Sequence, residues 1–147
     1  MNKLDSKQAI ESFIQKCREE GFRVTPQRLV IYKELLKATD HPTIEGILKK
    51  VRVTFPNVSF DTVYRTVLSF VDKGIIHMVE GYGGSKRFDP NTRQHHHFRC
   101  ARCEKIEDFN NESFDNIKIP EEISKQFKIT QKRVVLEGVC SECSKEE

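Results

Sequence analysis

His95, His96 and His97 run almost directly into Cys100-Ala101-Arg102-Cys103, and 36 residues separate that hook from a second, Cys140-Ser141-Glu142-Cys143. A Cys-x-x-Cys turn presents two thiolates to one ion, and two such turns complete the tetrahedron that zinc prefers. A site closed by four sulfurs leaves no position for a reacting water, so Cys100, Cys103, Cys140 and Cys143 read as a structural zinc site. A redox pair or an iron–sulfur cluster would use the same residue types, but neither hook lies in the strand–helix–strand setting that a thioredoxin-like motif needs.

The histidines then serve something else. If residues 95–99 are extended, His95 and His97 face one side and His96 the other, so the outer two can share an ion. Carboxylates are near: Asp89 upstream, and Asp108 with Glu104 and Glu107 on the next expected strand. Imidazole with carboxylate suits Fe(II), Mn(II) or Zn(II). A surface histidine run with incidental metal affinity fits the same spacing. So does a zinc hydrolase using His95, His97, a carboxylate and a bound water, although no nucleophile or separately placed general base lies near the run.

The elements that position these groups fall into two halves. Ile10, Phe13, Ile14 and Cys17 recur at three and four, predicting an amphipathic helix from Leu4 to about Glu20 that ends at Gly21. Cys17 reads there as a small buried residue. Thr25 and Pro26 mark the start of a second helix, as N-cap and first helical residue. Ile44, Ile47, Leu48 and Val51 form the stripe of a third, and a fourth begins after Pro56 and closes at Gly74. On that last helix Val63, Val67, Leu68 and Val71 form the buried stripe, leaving Asp61, Thr62, Arg65, Thr66 and Ser69 outward and Tyr64 at the margin.

Two β-prone runs around "GYGGS" then predict a hairpin. Helices followed by a hairpin are the pattern of a winged helix, whose last helix lies in the DNA major groove. Its hydroxyls, one Arg and one Tyr suit base edges and phosphates, though a solvated helix face has the same composition. Beyond the linker "DPNTRQ", strands are expected at 97–99, 105–109, 127–130 and 133–138, with a helix near "PEEISKQF". The fold class is α+β.

The 147 residues carry a net charge of +3, and the excess lies in residues 1–80, with 13 basic against 10 acidic side chains, while the remainder balances at 12 and 12. That places a weak positive bias on the helical half. No apolar run reaches the roughly 20 residues of a membrane span, and "MNKLDSKQAI" lacks a signal-peptide core. The expected location is the cytoplasm, where reduced thiols favour metal over disulfide.

Taken in order, "RVTPQR", "HPT", "FPNVSFDTVYRTV", "KRFD", "HHHFRCARC" and "GVCSEC" resemble the ferric uptake regulator (Fur) superfamily of metal-dependent repressors, over essentially the whole chain. The resemblance implies a homodimer rather than an enzyme, with a winged helix-turn-helix domain over residues 1–88 that binds palindromic operator DNA. A linker over 89–94 and a C-terminal α/β dimerisation domain over 95–147 follow. It places one structural zinc per subunit on the four cysteines. One regulatory Fe(II) or Mn(II) per subunit falls on His41, Asp89, His95, His97 and Asp108.

The resemblance points to Arg23 for the minor groove and Tyr64 for a thymine, with Gln27, Arg28, Ser59, Thr62 and Arg65 completing the DNA-contact candidates. Iron-sensing members commonly have Glu where this chain has Asp89 and Asp108, whereas the peroxide-sensing branch has Asp at both. In that branch oxidation adds oxygen to a ligand histidine, here His41 or His95, and repression ends as the metal leaves. The alternative within the superfamily is an iron, manganese or zinc uptake regulator that responds to metal supply alone. A further metal site of many members falls on Gln94, His96 and Lys132. The weak amide ligand and the cation predict that it is absent here.

Overall fold

The computed structural model describes residues 6–80 and 85–145, and the chain divides into two compact units, Met1–Thr92 and Arg93–Glu147. The first unit is built from α1 (Ser6–Glu19), α2 (Pro26–Lys37), α3 (Ile44–Val51) and α4 (Phe60–Asp72), followed by β1 (His77–Met78) and β2 (Phe88–Asp89). Thr25, Thr43 and Ser59 cap α2, α3 and α4, each side-chain oxygen accepting from the backbone N–H three residues on at 3.1–3.2 Å. Each cap satisfies one of the donors that a helix start leaves without an intrahelical partner. Gly21 and Gly74 follow α1 and α4 with φ of +63° and +70°, the left-handed conformation that ends a helix at little cost to glycine.

The helices close on one core. Phe13, Ile31, Leu35, Ile47, Val51, Val63, Val67, Phe70, Ile76 and Phe88 are all buried in it, and Phe13 stacks on Tyr32 with ring centroids 4.1 Å apart. Burial drives the Tyr32 hydroxyl up to about 12 and also raises the Cys17 thiol, so both stay protonated as core groups. On α4 the buried residues are Val63, Val67 and Phe70, whereas Leu68 and Val71 are half-buried, so the stripe is rotated toward Phe70 relative to the sequence reading. Thr66 and Ser69 are half-buried too, and their hydroxyls donate back to the helix carbonyls of Thr62 and Arg65. The hairpin forms with His77 opposite Asp89 and Met78 opposite Phe88; the predicted turn at 81–84 lies outside the described residues.

The second unit is a three-stranded sheet in the order β4 (Ile106–Phe109), β3 (His96–Cys100), β5 (Val135–Gly138), with short helices α5 (Glu112–Asp115), α6 (Glu121–Gln126) and α7 (Ser141–Ser144). β3 runs antiparallel to β4 and parallel to β5. The strand expected at 127–130 does not form. Phe127 and Ile129 alternate as a strand would, but no edge of this unit pairs with them, and both remain exposed. An extended segment without a hydrogen-bonding neighbour gains nothing from β-propensity. Among the described residues no helix is long and apolar enough to cross a membrane.

Candidate metal centres

The parallel register of β3 with β5 resolves the long gap between the cysteine hooks. Cys100 ends β3 opposite Gly138 at the end of β5, and Ala101 N–H donates to Gly138 O at 2.8 Å, so both hooks leave the sheet at the same end. The four Sγ atoms lie within 4.8 Å of one another, and Cys103 Sγ is 3.8 Å from Cys140 Sγ. A zinc–sulfur bond of about 2.3 Å gives a tetrahedral edge of roughly 3.8 Å, so the donor set fits zinc. Backbone N–H groups already point at the sulfurs: Cys140 N donates to Cys100 Sγ at 3.4 Å and Cys143 N to Cys140 Sγ at 3.5 Å. The N–H groups of Cys103 and Cys140 hold the Cys100 thiol down to about 6, whereas its hydrogen bond with Cys140 pushes Cys143 up to about 12. A cation bound by the four sulfurs would displace the thiol protons.

The histidine run obeys strand geometry. His95 and His97, two residues apart, turn to one face, and His97 is directly opposite Asp108 across the antiparallel ladder, where facing side chains meet. His97 Nε2 is 3.0 Å from Asp108 Oδ1 and 3.0 Å from His95 Nε2, and His95 Nε2 is 3.7 Å from Asp108 Oδ1. An ion about 2.1 Å from each of three donors separates them by roughly 3.0 Å at 90° and about 3.6 Å at 120°. The three atoms thus stand at the separations that one triangular face of a metal coordination shell requires. His95 Nδ1 lies 2.6 Å from Arg93 O, and because a carbonyl only accepts, Nδ1 carries the proton and Nε2 presents its lone pair.

His96 turns the other way. Val134 N–H donates to its Nδ1 at 3.0 Å, which fixes the proton on Nε2, and Nε2 donates to Asp115 Oδ1 at 2.7 Å. Gln94 Nε2 donates to Lys132 O at 2.6 Å, and Lys132 Nζ to Asp115 O at 3.1 Å. Gln94, His96 and Lys132 are thus joined in one polar network around Asp115. Sequence reading missed Asp115, 19 residues from His96, because no motif marks it.

In the first unit, His41 and Asp89 form a second buried pair, with Nε2 3.4 Å from Oδ2. Asp89 belongs to β2 rather than to a linker, and its Oδ1 accepts from Asn91 N–H at 2.9 Å, leaving Oδ2 toward the imidazole. The neighbouring β2 chain fixes the other partner: Phe88 N–H donates to Pro42 O at 3.1 Å, and the Arg87 guanidinium donates to the carbonyls of His41 and Asp40. His41 has φ of +53°, a conformation uncommon for a residue with a Cβ and held here by those contacts.

Of the DNA-contact candidates, Arg23, Gln27, Ser59 and Arg65 are exposed. Arg28 is committed locally, donating to Arg23 O at 2.6 Å with its guanidinium 4.0 Å above the Phe22 ring. Ser59 and Thr62 bond to each other, Arg65 pairs with Asp61 at 3.0 Å, and Tyr64 is half-buried.

Comparison with known proteins agrees with this architecture. Residues 19–137 match the model of the ferric uptake regulator family. The peroxide-responsive repressor PerR of Staphylococcus epidermidis is 36% identical over 93% of this chain and 91% of its own. The ferric uptake regulator Fur of Helicobacter pylori, described as having three functional metal-binding sites, superposes with a TM-score of 0.78 over 98% of this chain and 97% of its own, at 22% identity. PerR of Streptococcus pyogenes, studied for peroxide sensing and gene regulation, gives a TM-score of 0.53 at 29% identity over 92% of each chain. The chain belongs to the ferric uptake regulator family of metal-responsive repressors.

Proposed function

We propose that this protein is a homodimeric repressor that binds palindromic operator DNA when a regulatory Fe(II) or Mn(II) is bound, and that it senses hydrogen peroxide. The observation that carries the metal reading is the convergence of His95 Nε2, His97 Nε2 and Asp108 Oδ1 at metal-ligand spacing. His41 and Asp89 are proposed as the remaining ligands of the same ion, so that metal binding selects one arrangement of the DNA-binding and dimerisation units. Moving such an equilibrium from mostly open to mostly closed takes roughly 5 kcal/mol of differential binding. The four cysteines hold a structural zinc. Exposed Ile117, Ile123, Phe127, Ile129, Leu136 and Val139 on the second unit support dimerisation there.

Peroxide sensing is supported by aspartate at both carboxylate positions and by the 36% identity to a peroxide-responsive repressor. When bound, Fe(II) would activate hydrogen peroxide for cleavage of its O–O bond. The chain supplies the target and the two electrons: one imidazole, of His41 or His95, exchanges a ring C–H for a C–O bond, and the other peroxide oxygen leaves as water. An oxidised ring is a poorer ligand, which ends operator binding. The second reading, a metal-uptake regulator, is favoured by the donor set itself, since imidazole and carboxylate accept iron, manganese and zinc alike.

Fluorescence anisotropy on a selected operator duplex separates the two readings. A peroxide sensor releases DNA after peroxide treatment in the iron form and keeps it in the manganese form. If both forms keep their affinity and respond only to metal titration, the protein is an uptake regulator.

A further inference from the structure

One exposed residue of α4, Phe60, is used by nothing above, and it adjoins Tyr64, already a candidate for a thymine contact. Phe60 is 44% exposed, and its ring stacks on Tyr64 with centroids 5.9 Å apart and planes 14° from parallel. Residues four apart on a helix share a face, so the two stacked rings form one exposed aromatic pair, a plate of two rings. The Lys86 ammonium donates to the Tyr64 hydroxyl at 3.4 Å and lies 5.7 Å from the ring centre. Tyr64 is thus backed by Phe60 and pinned at its tip by a lysine from beside β2, while exposed Arg65 follows Tyr64 on α4 and pairs with Asp61 at 3.0 Å.

We propose that Phe60 is a sequence-reading residue: the Phe60–Tyr64 plate packs on the C5-methyl of a thymine in each operator half-site, and Lys86 and Arg65 engage the flanking phosphates. The inference rests on the reading of α4 as the DNA-recognition helix. In the major groove the thymine methyl is the apolar group offered by a base edge, and the phosphates beside it call for cations. The aromatic plate, with Lys86 at Tyr64 and Arg65 next in the chain, matches that combination. A protein partner fits less well, since a stable interface covers about 800 Å² per partner, far more than two rings provide.

The test uses full-length Mn(II)-loaded protein and a duplex selected by it from a random library. Each thymine of the half-site is replaced in turn by deoxyuridine, which removes the methyl alone. Wild type should lose about four-fold in affinity at one position, the worth of one buried carbon. Phe60→Ala should lose at least as much on the thymine duplex, lose little more on that uracil duplex, and keep its salt dependence. Phe60→Leu, which keeps helix propensity and apolar bulk, should recover part of the loss and covers the case of a poorly folded alanine variant. Variants that bind like wild type, or whose losses are equal on both duplexes, overturn the proposal while leaving DNA binding intact. Wild type that selects no duplex at all overturns the recognition-helix reading and this proposal with it.

Discussion

Cys140→Ser should unfold the second unit and leave the first standing. The contrast lies in the two cores. All the buried members of the main apolar cluster come from residues 13–88, whereas in the second unit the buried apolar side chains among the described residues are Cys100 and Ile106. Cys100 belongs to the sulfur cluster, so Ile106 alone counts as apolar burial and contributes about 2 kcal/mol. A structural zinc contributes roughly 10 kcal/mol or more, as much as the whole net stability of an ordinary domain. Serine does not replace a thiolate, so the loss exceeds what this sheet retains. Zinc content by elemental analysis, far-UV circular dichroism and limited proteolysis of the full chain would read the outcome. Cleavage confined to residues 93–145, with the α1–α4 helical signal preserved, is the expected result. A zinc-free variant with the protease resistance and melting of wild type would refute the reasoning.

Three further outcomes follow from the site geometry. His41→Asn, chosen because Asn tolerates the left-handed backbone at this position, should leave melting nearly unchanged and abolish metal-dependent operator binding; a retained metal response removes His41 from the regulatory ligands. Arg65→Ala should lower the salt slope of operator binding by about one per phosphate contact, without destabilising the fold, because its pair with Asp61 is exposed; an unchanged slope removes it from the phosphate contacts. Native mass spectrometry in metal excess should show two metals per subunit, since both nitrogens of His96 are engaged by Val134 and Asp115; a third specifically bound ion contradicts that.

What the sequence revealed depended on how local the signal was. Thr25, Pro26 and the glycines after α1 and α4 act on the chain beside them, and the helices begin and end close to where those residues stand. The opposed faces of His95 and His96 follow from the two-residue period of a strand in the same way. Features set by long-range pairing were not readable. Asp89 passes for a linker residue until β1 is seen to pair with it, and "FKIT" at 127–130 passes for a strand until it is found without a partner edge. Phe70 stands at i+7 from Val63 and i+3 from Val67, so helical spacing within α4 placed it on the buried face although the sequence reading took Leu68 and Val71 instead. What that spacing could not show is its partner, Phe13 of α1, at 5.4 Å between ring centroids.

The central claim, peroxide sensing through a ligand histidine, is tested most directly by peptide mass spectrometry on Fe(II)-loaded protein exposed to a small amount of hydrogen peroxide, with the Mn(II) form as control. Trypsin places His41 in "ATDHPTIEGILK" and His95 in "QHHHFR", and fragmentation distinguishes His95 from its neighbours. The account predicts one added oxygen on His41 or His95 in the iron form alone. Unmodified peptides from protein that demonstrably kept its iron would contradict it.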